Sequence, residues 1–149
     1  MNWKEIKYQK DIEELLDVYG GFHDSCIVNF CYESGAGVTP DKSMHLGDAF
    51  DHELRVTFQR QWDPITIELY FSGLRRLHLV GWQDNYFCDI MSAYLAFHDK
   101  LLPGNLNRVI VWADTDLFDT EKVVASSALV EPADTYIVSN ELKWRIISE

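Results

Sequence analysis

The sequence predicts an α+β fold dominated by β-structure: an antiparallel meander of about seven to eight strands, rolled or sandwiched, with one N-terminal helix. Three observations predict it. A single amphipathic stripe of helical period stands near the N-terminus, at about residues 11–19. From residue 22 to residue 147 the apolar pattern mostly has a period of two. The breaks between these runs are short, which suits neighbouring antiparallel strands. Residues 1–149 read as a single domain, since no linker rich in Pro, Gly and Ser divides them.

The helix comes first. Asp11 and Glu14 have the spacing of an N-cap and its partner three residues on. Ile12, Leu15, Leu16 and Tyr19 make one apolar stripe, and Gly20 supplies the left-handed stop. Next, Phe22, Asp24, Cys26, Val28, Phe30 and Tyr32 are expected on one face of a strand. Residues 34–51 hold three glycines and a proline and read as a long surface loop. Leu54, Val56, Phe58 and Trp62 then alternate with polar residues, as do Ile65, Ile67, Leu69 and Phe71. Only a tight turn fits at Asp63-Pro64, so these two strands are expected to be hairpin partners. Gly73 is expected to turn the chain into a further strand over Arg76 to Trp82.

Residues 84–102 read two ways. Phe87, Ile90, Met91, Tyr94 and Leu95 fit a helical stripe with Asp84 as its cap, and periodicity leans that way. Met91, Ala93, Leu95 and Phe97 also fit one face of a strand. Pro103, Gly104, Asn105 and Asn107 predict a loop. Val109 to Ala113 form a continuous apolar run, the pattern of a fully buried strand. An acidic loop follows. Val123 to Val130 and Tyr136 to Ile147 are expected as the last two strands.

Composition narrows the function. Thirteen Lys and Arg face 24 Asp and Glu, a formal net charge of −11. Nucleic acid as the main partner is disfavoured, because phosphate binding needs clustered cations. An anionic membrane is disfavoured for the same reason. No apolar run reaches the ~20 residues of a membrane span, and no signal-peptide core is visible, so a cytoplasmic location is expected. Cys26, Cys31 and Cys88 are an odd set without C-x-x-C, read as reduced and mostly buried thiols. His23, His45, His52, His78 and His98 show no zinc-site spacing, so no metal or other cofactor is expected.

His23-Asp24-Ser25 is the first chemical candidate, because those residue types can build a nucleophilic triad. On a strand, however, Asp24 would face away from His23 and Ser25, and the G-x-S-x-G elbow is missing. The plainer expectation is a structural polar cluster. Asp24 would then pair with Arg76 or Arg145, or accept the backbone N–H groups of Gly20 and Gly21. A second candidate is Asp114, Asp116, Asp119 and Glu121. It resembles the start of an EF-hand loop, but Leu117 and Phe118 interrupt it and the glycine is absent. Residues 114–141 hold seven acids and one base, whereas residues 55–76 hold four bases and two acids. The negative charge is therefore concentrated late in the chain, where it would steer a basic protein partner.

Several segments together resemble small bacterial proteins grouped with the immunity factors of polymorphic toxin systems. They are Phe22-His23-Asp24-Ser25, Ile67-Glu68-Leu69-Tyr70-Phe71-Ser72-Gly73-Leu74, Val111-Trp112-Ala113-Asp114 and Leu142-Lys143-Trp144-Arg145. The resemblance covers about residues 22–147. It implies a β-rich fold and tips residues 93–98 towards a strand, and it carries over no catalytic residue. The leading expectation is a non-enzymatic cytoplasmic binding protein that neutralises a basic toxin through Asp114, Asp116, Asp119 and Glu121. The alternatives are a small hydrolase or ligand-binding enzyme built on His23, Asp24 and Ser25, and a self-associating subunit.

Overall fold

A computed structural model describes residues 2–81, 84, 88–103, 108–124 and 133–148. Most of it is antiparallel sheet, with a short N-terminal helix. The elements are β1 (Lys4–Glu5), α1 (Gln9–Val18), β2 (Cys26–Glu33), β3 (Gly37–Val38), β4 (Met44–His45) and β5 (Glu53–Gln59). They continue with β6 (Thr66–His78), β7 (Tyr94–His98), β8 (Val109–Ala113), α2 (Thr120–Val124) and β9 (Tyr136–Ser148). The main sheet runs β2-β5-β6-β9-β8-β7, with β1 also paired to β9, and β3 and β4 form a separate hairpin. β2 and β7 end this order, yet Ser25 beside β2 bridges Ile90 upstream of β7. The sheet is thus rolled until its two ends nearly meet. No helix among the described residues is long and apolar enough to cross a membrane.

α1 begins two residues earlier than its expected cap. Asp11 sits in the first turn, where its carboxylate accepts the N–H groups of Lys7 and Tyr8 at 2.9 and 2.8 Å. Those donors have no partner within the helix, so the carboxylate satisfies them. Ile12, Leu15 and Tyr19 are buried, and Gly20 has φ 57°, as the stop requires.

β5 and β6 are hairpin partners, and Leu54, Val56, Phe58, Ile67, Leu69 and Phe71 are fully buried in one core cluster with Ile12 and Leu15 of α1. Trp62 and Ile65 lie beyond the strand ends and are exposed. β2 departs from the expected alternation. Its register on β5 shifts between Ile27 and Asn29, so Val28 is an extra residue. That bulge reverses the faces: Ile27 and Phe30 both pack on the core while Val28 is exposed.

Gly73 does not turn the chain. β6 passes straight through it, from Thr66 to His78, with Gly73 at φ 65°. A Cβ there would lie 2.8 Å from the Asn140 side chain of β9, so glycine permits the close approach of the two strands. Trp82 and Phe87 lie outside the described residues, as do residues 104–107.

Residues 94–98 are a strand, not a helix, and β7 pairs with β8 throughout. β8 is buried at every residue. Ile110 and Trp112 enter the main core, while Val109, Val111 and Ala113 enter a second cluster with Leu101, Leu102, Phe118, Val124 and Val138. Val123 and Val124 belong to α2 rather than to a strand, because Asp119 caps a helical turn there. The rest of that expected strand, residues 125–130, lies outside the described residues. In the long loop, the β3–β4 hairpin leaves Val38, Met44, Leu46 and Phe50 exposed.

Candidate functional site

The sequence offers two candidate places: the turn into β2 and the acidic segment after β8. The first is not a strand start. Gly20, Gly21, Phe22 and Asp24 all have positive φ. Phe22 accepts that strained conformation because its ring is fully buried, edge-on to Tyr19, Phe58 and Trp112 at 5.3, 4.9 and 5.8 Å. The irregular backbone then lets Asp24 reach His23, against expectation, with Oδ2 3.3 Å from Nε2. Both side chains are half-exposed. Arg145 instead faces Glu68 at 3.2 Å, and Arg76 donates to the Arg75 carbonyl. The expected cluster of Asp24, Arg76 and Arg145 is therefore not assembled.

This turn fastens the roll. Asp24 N donates to Ile90 O and Ile90 N to Ser25 O, both at 2.8 Å, and Ala93 N donates to Gly21 O at 2.9 Å. His23 Nδ1 donates to Met91 O at 2.7 Å. The Ser25 hydroxyl is buried and donates to Phe22 O at 2.6 Å. Ser25 is thus bonded to a carbonyl, and the His23 proton on Nδ1 is committed to another. The trio forms no nucleophile–base pair, because that pairing needs a serine hydroxyl donating to the histidine. Beside it, the half-buried Cys26 and the exposed Cys88 line one shallow depression with Asp24, Gln59, Arg60 and Asp89. The thiols are therefore more accessible than the sequence suggested, and Cys31 is exposed as well.

The second place is the segment 114–121. Phe118 is buried against Tyr94 and Tyr136, with ring centroids 6.1 and 5.2 Å away. Phe118 N donates to Thr115 O, and Asp119 Oδ1 accepts Lys122 N at 3.0 Å. The turn is thereby pinned on both sides of residue 117. Leu117 is lifted out of it, 88% exposed. Asp116, Asp119 and Glu121, close to it in sequence, are exposed as well. Asp114 sits differently: it is half-buried and lines a cavity of about 200 Å³ with Val28, Leu79, Cys88, Ile90 and Thr135. The structure thus keeps three of the expected carboxylates at the surface, while the fourth, Asp114, is half-buried at a cleft. The sequence marked Leu117 only as an interruption of the EF-hand-like pattern, and its exposure between Asp116 and Asp119 comes from the fold.

The basic stretch of residues 55–76 does not form one surface. Arg55 stacks on Tyr70 at 4.8 Å on the outer face of the sheet, and Arg60 is buried. Arg75 reaches Asn140 at 3.4 Å, farther along β6. Lys143 and Arg145 add to the outer face, where they stack on Trp3 at 5.1 and 4.3 Å.

His98 lies close to the acidic turn. Its Nε2 pairs with the Tyr94 hydroxyl at 2.7 Å. Burial pushes its pKa below the ordinary value, against the opposing pull of Glu121 and Asp99. A histidine held neutral in the fold protonates more readily once unfolded. Its stabilising effect is therefore present above the unfolded pKa of about 6.5 and lost as the pH falls through the lower folded value. The thermal midpoint is expected to fall between pH 7 and pH 5, and to fall less in His98→Gln. An identical decline in both proteins would show that His98 is not one of the groups responsible.

No protein-family model, curated protein or solved structure matches the chain.

Proposed function

We propose that the protein is a non-enzymatic binding protein that docks a basic protein partner on the 114–121 turn. The observation that supports this reading is Leu117, an apolar side chain 88% exposed on a pinned turn that also carries the exposed Asp116, Asp119 and Glu121. An apolar centre with a charged rim is the usual anatomy of a protein interface. A turn already held by Phe118 and Asp119 loses little conformational freedom on binding. The net charge of −11 attracts cationic partners and repels nucleic acid. The resemblance to immunity factors makes a basic toxin the partner class, met in the cytoplasm of a bacterium that must neutralise it.

The test is association with the basic protein encoded beside this gene, followed by calorimetry and stopped-flow mixing. Leu117→Ser is expected to weaken binding by roughly tenfold or more, chiefly through faster dissociation. Asp116→Asn with Glu121→Gln is expected to slow association several-fold at low salt and to flatten its salt dependence. Unchanged affinity in Leu117→Ser would move the interface elsewhere. A neighbouring product that does not bind at all would count against the toxin reading.

A further inference from the structure

We propose that Cys26 and Cys88 form a peroxide-sensitive dithiol whose disulfide staples the seam of the rolled sheet. The seam is the place where β2 meets the segment upstream of β7, and Ser25–Ile90 is its backbone bridge. Cys26 follows Ser25 directly, and Cys88 stands two residues before Ile90, so the bridge brings the two thiols to one depression. Both are free. Burial pushes the Cys26 thiol above its ordinary pKa, and the neighbouring Cys88, by charge and by hydrogen bonding, pushes it further. Cys26 therefore keeps its proton until it is called on, while the exposed Cys88 meets oxidant first.

Hydrogen peroxide is the co-reactant. The Cys88 sulfur attacks one peroxide oxygen, and the O–O bond breaks. The departing hydroxide takes the thiol proton and leaves as water, and Cys88 becomes a sulfenic acid. The Cys26 sulfur then attacks the Cys88 sulfur. The S–O bond breaks, and hydroxide leaves as a second water with the Cys26 proton. Two thiols and one peroxide give one disulfide and two waters. Peroxide is uncharged, so Asp24 and Asp89 beside the pair do not repel it as they would an anionic disulfide oxidant. A bond of this kind stays open in a reducing compartment and closes when oxidant arrives.

The disulfide would close a long loop, from β2 through β5 and β6 to the start of β7, and so constrain the unfolded chain strongly. The test uses the whole protein carrying Cys31→Ser, a substitution at an exposed position that leaves only the pair. Native protein is treated with hydrogen peroxide, digested and mapped by mass spectrometry. The expected result is a mass loss of about 2 Da, linked peptides containing Cys26 and Cys88, and a thermal midpoint raised by on the order of 5 °C. Dithiothreitol should reverse all three changes. Adding Cys88→Ser should abolish the link and the shift together. Two results would overturn the proposal: Cys88 oxidised to sulfinic or sulfonic acid with no link, or linked protein whose midpoint does not rise.

Discussion

Truncating Trp112 to alanine is expected to destabilise the fold by about 3–5 kcal/mol, a large share of the total stability of a domain. Trp112 is fully buried on β8, against Phe22 at 5.8 Å and Phe58 at 5.3 Å. Its ring joins β8 to the turn into β2, alongside the backbone bonds that residues 90–93 make to that turn. Alanine would leave a cavity that the surrounding strands, paired on both edges of β8, have little freedom to close. Phenylalanine should behave differently. The indole Nε1 is buried and has no hydrogen-bond partner among the described residues, so Trp112→Phe removes a donor unsatisfied there as it removes volume. Its expected cost is about 1 kcal/mol, far below that of alanine. Urea midpoints at constant slope would measure both. Equal losses in the two variants would mean that the indole N–H is worth more in the fold than its lack of a partner implies.

Replacing Arg60 by leucine is expected to cost about 3 kcal/mol. Arg60 is 7% exposed, and its guanidinium donates to backbone carbonyls rather than to a carboxylate. Nε reaches Trp62 O at 3.1 Å and Pro64 O at 3.0 Å. Nη2 reaches Asp63 O at 2.7 Å and Val18 O at 3.1 Å. The last of these lies at the C-terminal end of α1, where a cation also complements the helix dipole. The same group stacks on Tyr19 at 4.3 Å. One side chain thus ties the β5–β6 turn to the end of α1. Leucine fills part of the space but leaves those carbonyls without their donor. Lysine keeps the charge yet cannot present a planar fork, so Arg60→Lys should recover only part of the loss. Wild-type unfolding midpoints in Arg60→Leu would show that water replaces the clamp at no cost.

The two substitutions mark different levels of legibility. The buried run Val109–Ala113 announced a strand covered on both faces, and the structure places it so, because a strand with an apolar residue at every position has no other stable environment. The pairing of β5 with β6 was legible for a similar reason: two alternating runs joined by a short turn can hardly avoid each other. Arg60 belongs to the same hairpin, but nothing near it in sequence announces that Val18 is its partner. The turn at residues 20–25 misled because its alternation continues that of β2. Positive φ at Phe22 and Asp24 breaks the strand there, and burial of the Phe22 ring outweighs the local preference. The Val28 bulge had a similar effect, since one extra residue exchanges the faces of everything beyond it. For residues 94–98 the two periods overlapped, and pairing with β8 decided for the strand.

By itself, then, the sequence determined the α+β class, the N-terminal helix, the β5–β6 hairpin, the double burial of β8 and the net negative charge. These follow from periodicity, neighbouring turns and counted charge, all of which are local or additive. The tertiary structure decided what depends on distant segments meeting. It closed the roll at Ser25 and Ile90, brought Cys88 beside Cys26, half-buried Asp114 and left Leu117 outside while Phe118 went in. Leu117 and Phe118 are adjacent apolar residues, and no local rule distinguishes them. Only the space between Tyr94 and Tyr136, shaped by strands from two other parts of the chain, selects which one is buried and which one stays exposed.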